Sequence, residues 1–324
     1  MSNLENVEVF DSIKAERPKL KDSSIKMYEL LLTKLQTLFS VEKGYDFLKD
    51  VDKVKEKLSA YHYTSQRNYY NAIGVLLMAL NSEKEYDELI NVYIKLREEL
   101  NAKYKSENES GVISEKQRDN FVPYEDIKKM INNMEKEIKF RNLKKTDLLT
   151  IQDRELMMVW SIFNTLIRMA SRNDMAGQKL ITKKIYNQLS EEDKKNNNYL
   201  LKEKTGMTMV VNQYKTSAKY GERKIEVPKD LVKIFNVYIK VMDVKAGDVL
   251  YKNSKGTTLS RNQISQLLLR YSQKYLGKNI STNIMRKIVA THEVGEQSQK
   301  MKDLASKMGH SVSIQQLVYV KKSE

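Results

Sequence analysis

Three residues near the end of the chain are of types that can act together on a phosphodiester. Tyr319 follows His310 by nine residues, and Arg286 stands upstream of both. A tyrosine hydroxyl, with an ordinary pKa of about 10, is a poor nucleophile unless nearby groups stabilise the negative charge that grows during attack. Arginine and histidine side chains supply hydrogen-bond donors of that kind. The pattern predicts a phosphoryl-transfer site with Tyr319 as the nucleophile.

Short helices are expected to position these residues. Ser281 or Thr282 can begin a helix that carries Arg286 on its second turn. Gly309 suits the left-handed position after a helix and would release His310 into a turn. Ser313 and Gln316 form a capping-box pattern, which predicts a last short helix presenting Tyr319.

These segments resemble the conserved boxes of the tyrosine recombinase (phage integrase) family. Residues 309–319, GHSVSIQQLVY, are similar to the closing motif that ends in the nucleophile. Residues 280–292, ISTNIMRKIVATH, are similar to the second box, and Arg286 matches its catalytic arginine. Asn283 stands where this box normally has a histidine. An asparagine can hydrogen-bond a phosphate oxygen but cannot shuttle a proton near neutral pH.

The first catalytic arginine of the family has two candidates. Residues 164–168, NTLIR, resemble the lead-in to that arginine, which favours Arg168, but Ser171 then replaces the acid expected three residues later. Arg172 has Asp174 nearby, one residue closer than in the family, and lacks the lead-in. Arg168 is the preferred candidate and Arg172 the alternative.

A β-hairpin is expected to carry the family's lysine. Residues 207–214 (MTMVVNQY) and 223–227 (RKIEV) have strand character on either side of a polar bend. Lys215 at this bend resembles the lysine that protonates the leaving 5′ oxygen, and Lys219 is the second candidate. Neighbouring arginines would lower the pKa of such a lysine, which suits a general acid.

Composition favours a nucleic-acid partner. Lys and Arg number 57 against 42 Asp and Glu, a formal net charge of +15. The sequence has no cysteine, three histidines, no hydrophobic signal core at its start and no long apolar run. We therefore expect a soluble intracellular protein without disulfides, thiol catalysis or a cysteine-ligated metal.

The apolar residues recur mostly at helical spacing, which predicts a mainly α chain with a small β-hairpin or sheet. A length of 324 residues favours two domains. We expect a helical domain over 1–105, a polar linker over 106–120 and a second domain over 121–324. In the first domain, a helix after Ser23 and Ser24 should bury one apolar stripe.

The resemblance implies a helical SAM-like core-binding domain and an α+β catalytic domain that close on duplex DNA as a C-shaped clamp. It implies a covalent 3′-phosphotyrosyl intermediate, strand exchange without metal, ATP or other cofactor, and a homotetramer on synapsed sites, with accessory DNA-bending proteins as further partners. Residues 114–121 resemble recombinases of eukaryotic DNA viruses and virophages, which suggests viral genome integration. The protein would then act wherever its target DNA lies, in host nucleus or cytoplasm.

Two alternatives remain at this stage. A type IB topoisomerase-like enzyme would share the nucleophile but relax supercoils as a monomer. A DNA-binding accessory protein with a degenerate site would bind DNA in a salt-sensitive way without cleaving it.

Overall fold

The computed structural model describes residue 4, residues 8–109, 112–146 and 148–308, and residue 312. Two compact units divide between Ile113 and Ser114. Within the described residues, no helix is both long and apolar enough to cross a bilayer. The prediction of a mostly helical chain with a small β element is confirmed.

The N-terminal unit is a group of helices around an apolar core. Its α-helices are α1 (Val9–Glu16), α2 (Asp22–Phe39), α3 (Val51–Ser59), α4 (Tyr63–Ala79) and α5 (Asp87–Glu109). The stripe expected on α2 is buried at Ile25, Leu32 and Leu35. α2 nevertheless begins at Asp22, before the serines expected to cap it. Helix α4 lies at the centre, with a continuous buried run from Ala72 to Leu77.

Helix α5 extends into the segment expected to be a linker. Residues 103–109 are helical, although residues 101–108 are exposed. Side chains of α5 instead contact α4: the guanidinium of Arg67 lies 4.3 Å from the ring centroid of Tyr104, and Lys103 lies 4.7 Å from that of Tyr63. Helix-favouring residues with such cation–π contacts can remain helical without burying apolar surface.

The second unit is built around one buried helix. Its α-helices are α6 (Glu115–Arg118), α7 (Tyr124–Phe140), α8 (Ile151–Met169), α9 (Lys183–Gln188), α10 (Glu191–Asn196), α11 (Ser217–Tyr220), α12 (Lys229–Val241), α13 (Arg261–Leu276) and α14 (Thr282–Lys307). Every residue of α8 from Leu156 to Ile167 is buried, because α7, α12, α13 and α14 all contact it. A helix that is covered all round gives a rigid support for the residues at its end.

A capping box fixes the start of α8. The Thr150 hydroxyl accepts a hydrogen bond from the Asp153 amide, and the Asp153 carboxylate accepts one from the Thr150 amide at 3.0 Å. Asp153 is buried and forms an ion pair with Arg141 at 2.5 Å. Burial alone would raise the pKa of Asp153, but the Thr150 hydrogen bonds and the charge of Arg141 hold that pKa below its ordinary value.

We expect Asp153→Asn to lower the free energy of unfolding at pH 7 by about 1–2 kcal/mol, because the cap and ion pair are weakened. A depressed pKa stabilises the fold above the unfolded value of about 3.9, and this contribution disappears as pH falls. The gap between variant and wild type should therefore narrow below about pH 4. The free energy of unfolding is measured by urea titration, with the fluorescence of Trp160 as the signal. Trp160 is the only tryptophan in the sequence and lies on α8. Asp126→Asn, which removes an exposed ion pair on α7, is the control and should change little.

A four-stranded sheet lies beside the helices, with strands β1 (Lys179–Thr182), β2 (Tyr199–Lys202), β3 (Met207–Val211) and β4 (Arg223–Glu226) in that order. β1 is parallel to β2, and the other neighbouring pairs are antiparallel. The predicted hairpin is confirmed as β3 and β4, joined by a connection that contains α11. Strands β1 and β2 were not predicted from the sequence.

Candidate anion-binding active site

Three arginines from different elements line one cavity of about 460 Å³, here called the arginine cavity. Arg172 follows α8, Arg223 begins β4, and Arg286 lies near the start of α14. The remaining lining residues come from the end of α8, the sheet and the connection between β3 and β4: Met169, Ala170, Ser171, Asp174, Met175, Gln178, Met209, Val211, Tyr214, Thr216, Tyr220 and Ile225.

The end of α8 directs Arg172 into this cavity. Ala170 adopts a left-handed conformation with φ of 44° and ends the helix, and Arg172 is extended. The side chain of the next residue, Asn173, holds the turn. Its Nδ2 donates to the Ser265 hydroxyl at 2.9 Å, and its Oδ1 accepts from the Thr282 hydroxyl at 2.6 Å. Asn173 thus connects the turn to α13 and to the first residue of α14.

The same turn orients Arg286. Ser281 caps α14 by accepting a hydrogen bond from the Ile284 amide, which places Arg286 at the start of the second turn. Arg286 Nε donates to the carbonyl oxygen of Ala170 at 2.9 Å. A guanidinium has five N–H donors, so this contact fixes its orientation while leaving donors for a ligand.

Positive charge dominates the cavity. Burial raises the pKa of Asp174 above its ordinary value, although the charges of Arg261, Arg172, Arg223 and Arg286 all act to lower it. The Asp174 carboxylate forms an ion pair with Arg261 at 3.2 Å. Among the described residues, no carboxylate forms an ion pair with Arg172, Arg223 or Arg286. The cavity is therefore suited to an anion that accepts several charge-assisted hydrogen bonds.

A buried asparagine holds the loop that leaves β3. The side chain of Asn198 donates to the carbonyl oxygens of Asp174 and Gln213 at 2.7 and 3.1 Å, and accepts from the amides of Asn212 and Gln213 at 2.8 and 2.7 Å. Arg261 also donates to the Gln213 carbonyl at 2.8 Å. These contacts fix the loop up to the residue before Tyr214.

The candidate lysines lie on this loop. Lys215 is exposed; it does not itself line the arginine cavity, but its neighbours Tyr214 and Thr216 do. Lys219, on α11, is also exposed, with Nζ 5.2 Å from the ring centroid of Tyr220. Lys215 and Lys219 are each next in sequence to a residue that lines the arginine cavity. Lys215 also lies two residues after Gln213, which is held by Asn198 and Arg261.

The structure places Arg168, the preferred sequence candidate, outside the arginine cavity. Its Nε donates to the Asp230 carboxylate, and its Nη1 donates to the Asn164 side chain at 2.7 Å. The hydrogen bond from Arg168 to Asp230 lowers the pKa of Asp230 below its ordinary value. Arg168 is still within α8, before the left-handed Ala170 turns the chain, so it points to a separate cavity beside α12. Arg172, the alternative candidate, is the one brought together with Arg286.

The other sequence candidates have different outcomes. Asn283 is exposed on the first turn of α14 and does not line the cavity. His292, the last residue of the segment ISTNIMRKIVATH, stacks on Tyr124 with ring centroids 3.8 Å apart. His310 and Tyr319 lie outside the described residues.

A larger cavity of about 610 Å³ lies elsewhere, between α8, α12 and α13. Its floor is formed by buried residues such as Tyr238 and Leu250, and at its rim Glu155 already pairs with Arg270 at 2.6 Å. The smaller arginine cavity is the better candidate for phosphate chemistry, because its three arginines form no ion pair with any carboxylate in the part of the chain that the structure describes.

No protein-family model and no curated protein matches the chain. Solved structures do match, and tyrosine recombinases are among them. The crystal structure of XerA recombinase is 14% identical, covers 98% of this chain and 94% of its own, and has a TM-score of 0.35. XerH site-specific recombinase bound to its difH substrate is 13% identical, covers 90% and 76%, and has a TM-score of 0.46. At these values the likeness carries no argument about activity.

Proposed function

We propose that this chain is a tyrosine site-specific recombinase that cuts and rejoins duplex DNA through a covalent 3′-phosphotyrosyl intermediate on Tyr319. The arginine cavity is the main support, because it presents three guanidinium groups that form no ion pair with a carboxylate of the described residues, beside the loop that carries Lys215. A DNA phosphate is an anion of the right kind for such a cavity. The net charge of +15 favours the same partner.

The proposed reaction gives each residue one role. Arg172 and Arg286 donate hydrogen bonds to the non-bridging oxygens, and His310 adds a third donor as negative charge grows. The Tyr319 hydroxyl gives its proton to solvent as its oxygen attacks phosphorus, and the bond to the 5′ oxygen breaks. Lys215 gives a proton to that leaving oxygen, which departs as a 5′-hydroxyl. In the reverse step a 5′-hydroxyl attacks the phosphotyrosine and returns its proton to Lys215. The DNA strand is rejoined, and Tyr319 leaves as a phenolate that takes a proton from solvent.

Further parts of the proposal concern assembly. The two units would close on duplex DNA as a C-shaped clamp, and four copies would synapse two sites for strand exchange, with or without accessory DNA-bending proteins. Integration of a viral genome is the proposed biological use. The protein would then act in whichever compartment of the host holds that DNA.

Helix α14 places a condition on this scheme. Arg286 and Lys307 are 21 residues apart on one continuous helix, about 31 Å along its axis. Three more residues span at most about 10 Å. His310 can therefore join Arg286 of the same chain only if α14 breaks; otherwise a second copy must supply it. Gly295, within an exposed stretch of α14, is the weakest point for such a break.

We expect Gly295→Ala to stabilise the continuous helix by about 0.5–1 kcal/mol, since glycine is that much less favourable than alanine in a helix. The added methyl group would meet Thr291 at 3.5 Å, an ordinary contact. Hydrogen exchange of amides between 290 and 300 should slow accordingly. If α14 must break, covalent adduct formation should fall by up to about fivefold, the equivalent of 1 kcal/mol. Gln297→Ala, exposed on the same helix, is the control, and an unchanged adduct yield in Gly295→Ala would favour supply by a second copy.

A non-catalytic DNA-binding protein is the second candidate. It is favoured by Asn283, because this residue is exposed, does not line the arginine cavity and cannot act as a proton donor in place of histidine. Such a protein would use the same arginines for phosphate binding alone.

One experiment separates these functions. The protein is incubated with duplex fragments flanking its own gene and denatured in SDS, and any DNA-linked peptide is mapped by mass spectrometry. A recombinase should give an adduct on the Tyr319 peptide and exchange strands with a steep dependence on protein concentration. Relaxation of a supercoiled plasmid that carries the same DNA, by single copies of the protein, would indicate a topoisomerase instead. Saturable, salt-sensitive binding without adduct would overturn the enzymatic proposal.

A further inference from the structure

We propose that Arg223 is a third phosphate-binding arginine of the arginine cavity, contacting the same DNA phosphate as Arg172 and Arg286. This inference rests on the proposed function and adds a residue that the sequence motifs did not select. Arg223 begins the predicted strand RKIEV, but nothing in that pattern distinguishes it from a solvent-exposed strand residue.

The sheet fixes the position of Arg223. It pairs with Val211, the last residue of β3, so its backbone lies at the loop end of the hairpin, next to the connecting segment and beside the cavity. Its guanidinium carbon lies 5.6 Å from the ring centroid of Tyr214. Tyr214 is buried, and its hydroxyl donates to the Gly221 carbonyl at 2.9 Å across the connection. The tyrosine thus supports the guanidinium and closes the loop beside it.

The charges around Arg223 leave it available for a ligand. Asp174 is the carboxylate whose pKa responds to Arg223, and it is already paired with Arg261. In the part of the chain that the structure describes, no carboxylate forms an ion pair with Arg223. Its neighbour Lys224 differs, since Lys224 pairs with Glu222 at 2.8 Å. Two consecutive cations on β4 therefore have different surroundings, and one of them lines the cavity.

Arg223 can also compensate for Asn283, which stands where the second box of the family normally has a histidine. The side chain there is an exposed asparagine, so the cavity gains no histidine cation from α14. Arg223 supplies positive charge from the sheet instead. An arginine stays protonated at all working pH values, so Arg223 can bind the phosphate and stabilise its growing charge but cannot transfer a proton.

The test uses Arg223→Ala, Arg223→Lys and the matched control Lys224→Ala in single-turnover cleavage of a duplex site. Each protein is given a normal phosphodiester and a methylphosphonate at the scissile position, which lacks the negative charge. Arg223→Ala should slow cleavage of the phosphodiester about 100-fold, the loss typical of one stabilising donor. On the methylphosphonate this loss should shrink at least tenfold. Arg223→Lys should be intermediate, and Lys224→Ala should match wild type on both substrates.

Several outcomes would overturn the inference while leaving the proposed function standing. These are an active Arg223→Ala protein that behaves like Lys224→Ala, or equal losses on the charged and uncharged substrates. Circular dichroism and thermal unfolding check that the Arg223 variants keep the wild-type fold.

A binding measurement covers the case in which wild type cleaves nothing and the proposed function itself fails. The Nε–H signals of ¹⁵N-labelled arginines are followed during titration with inorganic phosphate and assigned with alanine variants. The signals of Arg223, Arg172 and Arg286 should shift together with one dissociation constant. An unmoved Arg223 signal would rule it out as a phosphate-binding residue.

Discussion

Replacing Tyr319 with phenylalanine is expected to abolish the SDS-stable DNA adduct while leaving DNA affinity unchanged. The substitution removes only the hydroxyl oxygen, and that oxygen is the atom that would bond to phosphorus. Phosphate affinity depends on the arginine cavity, whose described residues are untouched. Adduct yield on denaturing gels and binding by fluorescence anisotropy are measured on the same DNA.

The arginine cavity contains its own control for this experiment. Tyr214 and Tyr220 both line it, but the Tyr214 hydroxyl is engaged with the Gly221 carbonyl and only Tyr220 is exposed, at 63%. Tyr220 is therefore the rival nucleophile that position alone would suggest. Tyr220→Phe should keep the adduct. An adduct that persists in Tyr319→Phe and is lost in Tyr220→Phe would transfer the nucleophilic role to the hairpin connection.

Regular periodicity made part of this structure predictable. The apolar stripe of α2 follows the 3.6-residue pattern, and the hairpin of β3 and β4 follows strand-type composition on both sides of a polar bend. Ser281 was one of the two expected starts of the helix that carries Arg286 and is its N-cap. In each case local sequence and long-range packing favour the same structure, so a short window was sufficient.

Other features depend on contacts that a short window does not contain. Strands β1 (KLIT) and β2 (YLLK) have four residues each, and their apolar residues are consecutive, so neither shows the alternating pattern of a strand. They form because the second unit offers them partners: β2 is paired on both sides. The end of α8 is a similar case. Alanine seldom adopts a left-handed conformation, yet Ala170 does so where its carbonyl oxygen accepts from Arg286, more than a hundred residues later.

That turn places Arg172, and not Arg168, in the arginine cavity, and the second prediction concerns Arg172. We expect Arg172→Ala to lower the single-turnover cleavage rate by about 10²–10³-fold, because it removes a donor aimed at the charge that develops on the phosphate. DNA affinity should change much less, since one phosphate contact among many is lost. Arg172→Lys should recover only part of the rate, because an ammonium group cannot make a two-pronged contact.

Arg168→Ala is the matched comparison, four residues earlier and with the same change of side chain. Its guanidinium is engaged with Asp230 and Asn164, beside a different cavity, so we expect a nearly normal cleavage rate. The free energy of unfolding should fall by no more than about 1 kcal/mol, because the ion pair that is lost is partly exposed. The opposite order, with Arg168→Ala inactive and Arg172→Ala active, would mean that the lead-in motif identifies the catalytic arginine despite its place in the fold. The arginine cavity would then bind an anion other than the scissile phosphate.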